Sequence, residues 1–262
     1  MKIYQVDAFT EKAFRGNPAA VCILSFQKED QWLQNVAQEM NLSETAFLMR
    51  EGKGWRLRWF TPLVEVDLCG HATLASAYIL WEKGYEEKQS TILFDTRSGI
   101  LKASRDGEWI ELDFPSEPAS ESEVPDDLLK ALKVKPGFTG KNRFDYLIEI
   151  GSEEELKALN PDFMLLKTVK ARGIIVTSLS GSPEYDFVSR FFAPACGINE
   201  DPVTGSAHCC LGPFWQHKTG KSDFNAYQVS KRGGCIRVRV RGKRTFIAGK
   251  AITVLDGELI DR

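Results

Sequence analysis

The sequence predicts an α+β protein made of two pseudo-symmetric halves, each a curved, largely antiparallel sheet wrapped around one apolar helix. Three observations carry that prediction. One chemical phrase occurs twice: Arg58-Trp59-Phe60-Thr61-Pro62, then Gly70-His71-Ala72-Thr73 and an apolar run, and later Arg190-Phe191-Phe192-Ala193-Pro194, then Gly205-Ser206-Ala207-His208 and another apolar run. The glycines keep register, since Gly70, Gly99 and Gly107 are each matched 135 positions on, at Gly205, Gly234 and Gly242. Residues 71–81 are apolar on nearly every face, the pattern of a helix enclosed by its own domain. Several short strands and one such helix per half are reconciled most simply by a sheet rolled round the helix, twice.

In order along the chain, residues 3–9 read as a strand and Arg15-Gly16-Asn17-Pro18 as a turn into a second strand at 19–24. A helix follows. Trp32, Val36 and Met40, with Leu33 and Ala37, make an i, i+4 stripe, and Lys28-Glu29-Asp30 supplies acids that suit a helix start. Residues 45–49 and 55–60 are strands, 71–81 the buried helix, and 92–94, 99–104 and 109–114 short strands between turn residues. The stretch from Pro115 to Pro125 has Ser and Glu between its prolines, the composition of a linker. The second half repeats the order with a helix at 153–159, strands at 173–179 and 187–192, a helix from Ser206, and strands from Tyr227 and from Cys235 to Ile252. Pro213 falls early in that second helix and is expected to bend it or end its first segment. The halves are therefore drawn at 1–115, with a last strand able to exchange with the other half, and at 136–262, with 116–135 as linker.

Composition narrows the class. A chain of 262 residues can bury one large or two medium cores. A formal charge of −2 and a pI near 6.0 give no field that draws nucleic acid or anionic lipid. The start Met1-Lys2-Ile3-Tyr4-Gln5-Val6-Asp7 lacks the apolar core of a signal peptide, and no run approaches the ~20 apolar residues of a membrane helix, so a soluble, cytoplasmic protein is expected. Cys22, Cys69, Cys196, Cys209, Cys210 and Cys235 form no CxxC pair and read as reduced core or site thiols.

Several local signals carry little. Thr219-Gly220-Lys221-Ser222 resembles the end of a phosphate loop, but Trp215 stands where that motif needs its first glycine. Arg237, Arg239 and Arg241 alternate with Val238 and Val240, as on a solvated strand face. His208-Cys209-Cys210 offers ligand atoms, yet consecutive helical residues point in different directions and no second pair has zinc spacing. His217, beside Lys218, reads as a surface histidine. No metal, organic cofactor or nucleic-acid partner is expected.

Glu44 is the residue with chemistry to perform. In Asn41-Leu42-Ser43-Glu44-Thr45-Ala46-Phe47-Leu48 it opens an apolar strand and shares a face with Ala46 and Leu48. A carboxylate in apolar surroundings pays a desolvation cost that favours its protonated form, which suits it to shuttle protons. The bland alternative is a capping or salt-bridging acid at a helix-to-strand junction. The repeat counts against that alternative, because the matching stretch Arg172-Gly173-Ile174-Ile175 has no acid and the scaffold therefore does not require one.

Gly16-Asn17-Pro18, Leu42-Ser43-Glu44-Thr45-Ala46-Phe47, Phe60-Thr61-Pro62 through Cys69-Gly70-His71-Ala72-Thr73, and Glu200-Asp201-Pro202-Val203-Thr204-Gly205-Ser206-Ala207-His208 together resemble the phenazine-biosynthesis protein F (PhzF)-like family, in the family's order and over the whole chain. The resemblance implies a diaminopimelate epimerase-like fold with the active site between its halves. It implies a cofactor-free isomerase in which Glu44 moves a proton on a small, cyclic, unsaturated amino or hydroxy acid. His71, Asp201 and Ser206 would line the site, and the protein would be a homodimer. The residues suit that chemistry: N–H groups at Gly70, Ala72 and Thr73 and at Gly205, Ser206 and Ala207 open two helices, where a substrate carboxylate is held and developing negative charge stabilised. His71 or Asp201 would then orient the ring or relay a proton.

Related epimerases and racemases use two cysteines, one at each helix start. Here Cys69 precedes Gly70, but Thr204 precedes Gly205, and its hydroxyl is far too basic to be a free proton carrier near neutrality. Cys69 is then a core residue or a substrate contact. The remaining alternatives are an epimerase, racemase or dehydratase of a small amino acid using Cys69, and an idle binding protein that retains the cleft.

Overall fold

The structure is a computed structural model and describes residues 1–260. The chain forms two units, one of residues 1–113 together with the segment from Ala248 onward, the other Phe114–Ile247. The first unit contains β1 (Lys2–Ala8), β2 (Asn17–Leu24), α1 (Asp30–Met40), β3 (Glu44–Glu51), β4 (Gly54–Phe60), β5 (Glu65–Val66), α2 (Gly70–Glu82), β6 (Ile92–Thr96) and β7 (Gly99–Asp106), and β8 (Trp109–Pro115) leads out of it. The second contains β9 (Ser120–Glu121), α3 (Asp126–Leu132), β10 (Phe138–Lys141), β11 (Asp145–Glu149), α4 (Glu153–Ala158), α5 (Phe163–Leu166), β12 (Gly173–Leu179), β13 (Phe187–Ala193), β14 (Ile198–Asp201), α6 (Gly205–Thr219), β15 (Asp223–Gln228) and β16 (Gly234–Arg241), with β17 (Arg244–Gly249) leading back out. The chain then closes the first unit with β18 (Ala251–Glu258), antiparallel to β1.

The duplication read in the sequence is a duplication of pairing. The first unit joins β1–β2–β3–β4–β6–β7, the second β10–β11–β12–β13–β15–β16. In both orders the second and fourth joints are parallel and the others antiparallel. A parallel joint needs a crossover, and the helices are those crossovers: α1 and α2 in the first unit, α4 with α5 and then α6 in the second. Leu74, Ala75, Ala77, Ile79, Leu80 and Trp81 of α2 are buried, and the helix packs against β1, β2, β3 and β18. In α6, Ala207 through Gly212 and Phe214 and Trp215 are buried, Trp215 stacks on Phe187 of β13, and its indole N–H donates to Thr177 of β12. Gly212 lets β16 come close, since a Cβ there would lie 2.9 Å from the side chains of Val238 and Val240. Among the described residues no helix is long and apolar enough to cross a membrane.

The repeated arginines explain why the phrase is kept twice. Arg58 forms a two-pronged pair with Glu65 at 2.7 Å and lies over the Phe60 ring, while Arg190 makes the same fork to Glu200 at 2.7 and 2.9 Å and lies over Phe192. Each fork ties strand β4 or β13 to the hairpin that leads to the apolar helix.

Four readings of the sequence are corrected. α6 runs through Pro213 to Thr219 without ending. The carbonyl that a proline at 213 leaves without its helical donor is that of Cys209, and the Glu117 N–H supplies a replacement at 2.9 Å. Residues 116–135 are no free linker, because α3 contributes Leu128, Ala131 and Leu132 to the second unit's core. Strands β10 and β11 fall in a stretch that was read without a strand. The segment from Ala248 belongs to the first unit, so the C-terminal strand, not the one ending near 115, is the piece that leaves its own half.

Candidate active site

Strands β2 and β3 run parallel with Ala19 opposite Glu44, so Asn17, two residues upstream, opens β2 at the same end of the sheet where Glu44 opens β3. Helix α2 begins there too. Its side chains meet the strand ends: Glu44 Oε2 lies 3.1 Å from His71 Nε2, and on the other side of the ring His71 Nδ1 lies 3.2 Å from Asn17 Nδ2 and 3.5 Å from Cys69 Sγ. The Glu44 and His71 side chains are 15% and 7% exposed, and Asn17 is fully buried. Glu44 Oε2 and His71 Nε2 are both buried and neither has an aligned hydrogen bond to a protein group, their own 3.1 Å contact included, so both remain available to a ligand or to a small turn of the ring that would align them. Cys69 caps α2 without a side-chain cap bond, although the Ala72 N–H faces its sulfur, and a helix start of this kind offers its first backbone N–H groups to an anion. Thr73 is buried, with its hydroxyl donating to the Cys69 carbonyl at 2.6 Å.

Burial, with the Glu44 carboxylate adding to it, pushes the Cys69 thiol up, so the sulfur stays protonated. For His71, burial works to strip its second proton, but the Cys69 sulfur and the Glu44 carboxylate outweigh burial and hold the ring well above the ordinary imidazole range. With Cys69 a neutral thiol, the carboxylate is the charge that sets this direction. Glu44, Cys69 and His71 keep ligand atoms within 4.8 Å of one another. They do not encircle a point, however: the sulfur approaches Nδ1 and the carboxylate Nε2, so one ion would have to be held from opposite edges of one ring.

The register also identifies the counterpart of Glu44. Thr45 pairs with Phe60 and Ile174 with Phe192, which aligns Glu44 with Gly173 and not with Arg172. A Cβ at 173 would lie 2.1 Å from the Phe191 ring. The second unit has filled with an aromatic ring the space into which the first sends a carboxylate.

In the second unit the expected residues gather at the start of α6. The Thr204 hydroxyl donates to the Asp201 carboxylate in a short contact, Gln228 accepts from the Thr204 N–H at 2.9 Å and donates to the Asp201 carbonyl at 2.7 Å, and Ser206 is half-buried beside buried Gly205 and Ala207. Gln228 and Asn17 are the site residues that sequence reasoning missed. Asn17 was read only as part of a turn and of the Gly16-Asn17-Pro18 motif, with no role of its own, and Gln228 lies in a strand with no local mark of its role.

His208 is no ligand. It is fully buried, donates Nδ1–H to the Thr204 carbonyl at 2.8 Å and has no partner at Nε2, and burial pushes its proton affinity down to about 4. The unfolded chain binds a proton near pH 6.5 and the folded one does not, so the neutral ring's contribution is complete above 6.5 and lost as pH falls toward 4. Unfolding free energy should drop by about 3 kcal/mol across that window, and His208→Gln, followed by urea unfolding from pH 7 to 4, should flatten the slope.

The α+β scaffold thus sets a carboxylate–imidazole pair at the start of an enclosed helix. A family model for phenazine biosynthesis-like proteins matches residues 6–257, and the chain belongs to that family. It is 61% identical over 259 residues to a protein of Halalkalibacterium halodurans named as an uncharacterized isomerase, with 98% of each chain covered. It is 39% identical over 293 residues to the human phenazine biosynthesis-like domain-containing protein, with 99% of each covered. The crystal structure of a PhzF-family phenazine biosynthesis protein from Enterococcus faecalis superposes with a TM-score of 0.95 at 42% identity, covering 99% of this chain and 98% of that one. A hydroxyproline epimerase from Agrobacterium vitis shares the fold at TM-score 0.64 and 13% identity, covering 98% and 91%. The protein is an enzyme of the isomerase class.

Proposed function

We propose that the protein is a cofactor-independent isomerase that moves a proton between two carbons of a small carboxylate, of the cyclic unsaturated amino or hydroxy acid type, with Glu44 as the carrier. The observation that supports this most is the Glu44–His71 pair, 3.1 Å apart and nearly buried, beside a helix start whose N–H groups have no side-chain cap. The substrate carboxylate sits on the N–H groups of Gly70 to Ala72, where the helix dipole stabilises charge. Glu44 takes a proton from the adjacent carbon, the electron pair delocalises through the unsaturated system, and Glu44 returns the proton to another carbon. No electrons are gained or lost overall. His71 orients the carboxylate of Glu44. The test is an NMR screen of small cyclic and amino acids for enzyme-dependent uptake of solvent deuterium. Uptake at a carbon next to a carboxylate is expected with the native enzyme, and its absence across the screen together with ligand binding would favour an idle binding protein.

The thiol-based alternative is addressed by Cys69→Ser. A thiol kept protonated by burial is a poor base, and its counterpart Thr204 is already committed to Asp201. This variant is expected to retain turnover within about 10-fold, a smaller loss than removal of an acid–base group causes. Loss of all turnover here, with activity kept in Glu44→Gln, would transfer the chemistry to Cys69.

A further inference from the structure

Asn17 has no part in the chemistry described so far, yet the chain takes trouble to place it. Gly16, just before it, has φ +64°, and a side chain there would put its Cβ 2.1 Å from the Ala8 carbonyl oxygen, so this tight turn admits only glycine. Asn17 then pairs with Ala8 as the first residue of β2, fully buried, and its amide reaches the Nδ1 edge of His71. On the Nε2 edge stands the Glu44 carboxylate, an acceptor.

A neutral imidazole carries one proton, on either nitrogen. With the proton on Nδ1, the Nε2 lone pair would face a carboxylate oxygen at 3.1 Å, two acceptors in contact, and Glu44 would have nothing to hold it. An amide N–H directed at Nδ1 disfavours that tautomer. A carboxamide also keeps a partner for Nδ1 when the ring takes a second proton, because rotating the amide presents its oxygen to the new N–H. A carboxylate could serve only the charged ring, and an aliphatic group neither form. We propose that Asn17 is a positioning residue that keeps the His71 Nε2–H aimed at Glu44 in both charge states of the ring. This rests on the reading of Glu44 as proton carrier. The titratable groups acting on His71 are Glu44 from β3 and Cys69 from its own helix start.

The chain has only three histidines, which makes the test direct. Long-range proton–nitrogen NMR of the full-length, substrate-free protein reads the tautomer of each, assigned through single His→Gln variants. His208, bound through Nδ1–H to the Thr204 carbonyl, serves as an internal reference of the opposite tautomer. At a pH above the His71 titration, where the native ring holds one proton, that proton is expected on Nε2. Asn17→Leu should populate the Nδ1–H form and lower kcat roughly 10–100-fold with KM little changed, the range seen for groups that orient metal-bound histidines. Asn17→Asp should raise the midpoint of the His71 titration by about one pH unit or more, as a second carboxylate in contact does. A native Nδ1–H tautomer overturns the proposal without any variant. So does a folded Asn17→Leu with an unchanged His71 spectrum, or with a changed spectrum and native kcat. Because the tautomer is read without substrate, its failure is separate from that of the isomerase reading, which turns on deuterium uptake and on Glu44→Gln.

Discussion

Glu44→Gln is expected to cut turnover at least ~100-fold, the lower end of what a positioned acid–base group contributes, while substrate binding stays within a few-fold. The amide keeps the shape of the side chain and can still accept from the His71 Nε2–H across the 3.1 Å contact, so the site stays assembled. What it loses is the ability to take a proton. The effect should therefore fall on kcat and on deuterium uptake together, with KM nearly unmoved, because the lost interaction exists only while the proton is in flight. Uptake into the substrate carbon should fall as steeply as turnover, since both need the same abstraction. Near-native turnover in the purified, folded variant would remove Glu44 from the chemistry. A loss confined to KM would make it a binding group.

Much of this site was legible in the sequence because the scaffold is duplicated. Two copies of one phrase serve as mutual controls, and a difference between them stands out. Glu44 has no acidic counterpart, and the strand register shows why the second copy can dispense with one: Gly173 leaves room for the Phe191 ring. The two apolar helices were equally plain, since a helix without a polar face has to be enclosed. The failures were of long range. The β18 pairing with β1 joins residues about as far apart as the chain allows, and nothing local in 251–258 says which half it will complete. Pro213 looked like a helix breaker because the rescuing donor, the Glu117 N–H, lies almost a hundred residues upstream. Asn17 looked like a turn residue because its partner, His71, is remote in sequence. Periodicity records which face is buried, not which polar atoms meet there.

Arg172→Met should cost the second unit roughly 3–5 kcal/mol, the range for removing one partner of a buried ion pair. Arg172 directly precedes β12, and its guanidinium grips Asp145 at the start of β11, with Nε 2.9 Å from Oδ1 and Nη2 in a shorter contact with Oδ2. The Asp145 side chain is wholly inaccessible, and its carboxyl is raised by burial even with the arginine present. Methionine covers much of the surface that Arg172 lays over the Phe144 ring, so most of the loss is electrostatic: a buried charge stripped of its counter-ion. Two consequences separate this from a simple packing defect. In the variant the orphaned carboxyl can be neutralised by a proton, so the deficit measured by urea unfolding should be largest near neutrality and shrink toward pH 4–5. Removing the charge as well, in Arg172→Met with Asp145→Leu, should recover a large part of the stability, because a well-packed apolar pair often matches a buried ionic one. A single variant within about 1 kcal/mol of native would show that the pair is balanced by water or by neighbouring donors. A double variant no better than the single one would show that the hydrogen bond Asp145 accepts from the Gly173 N–H, not its charge, is what β11 requires.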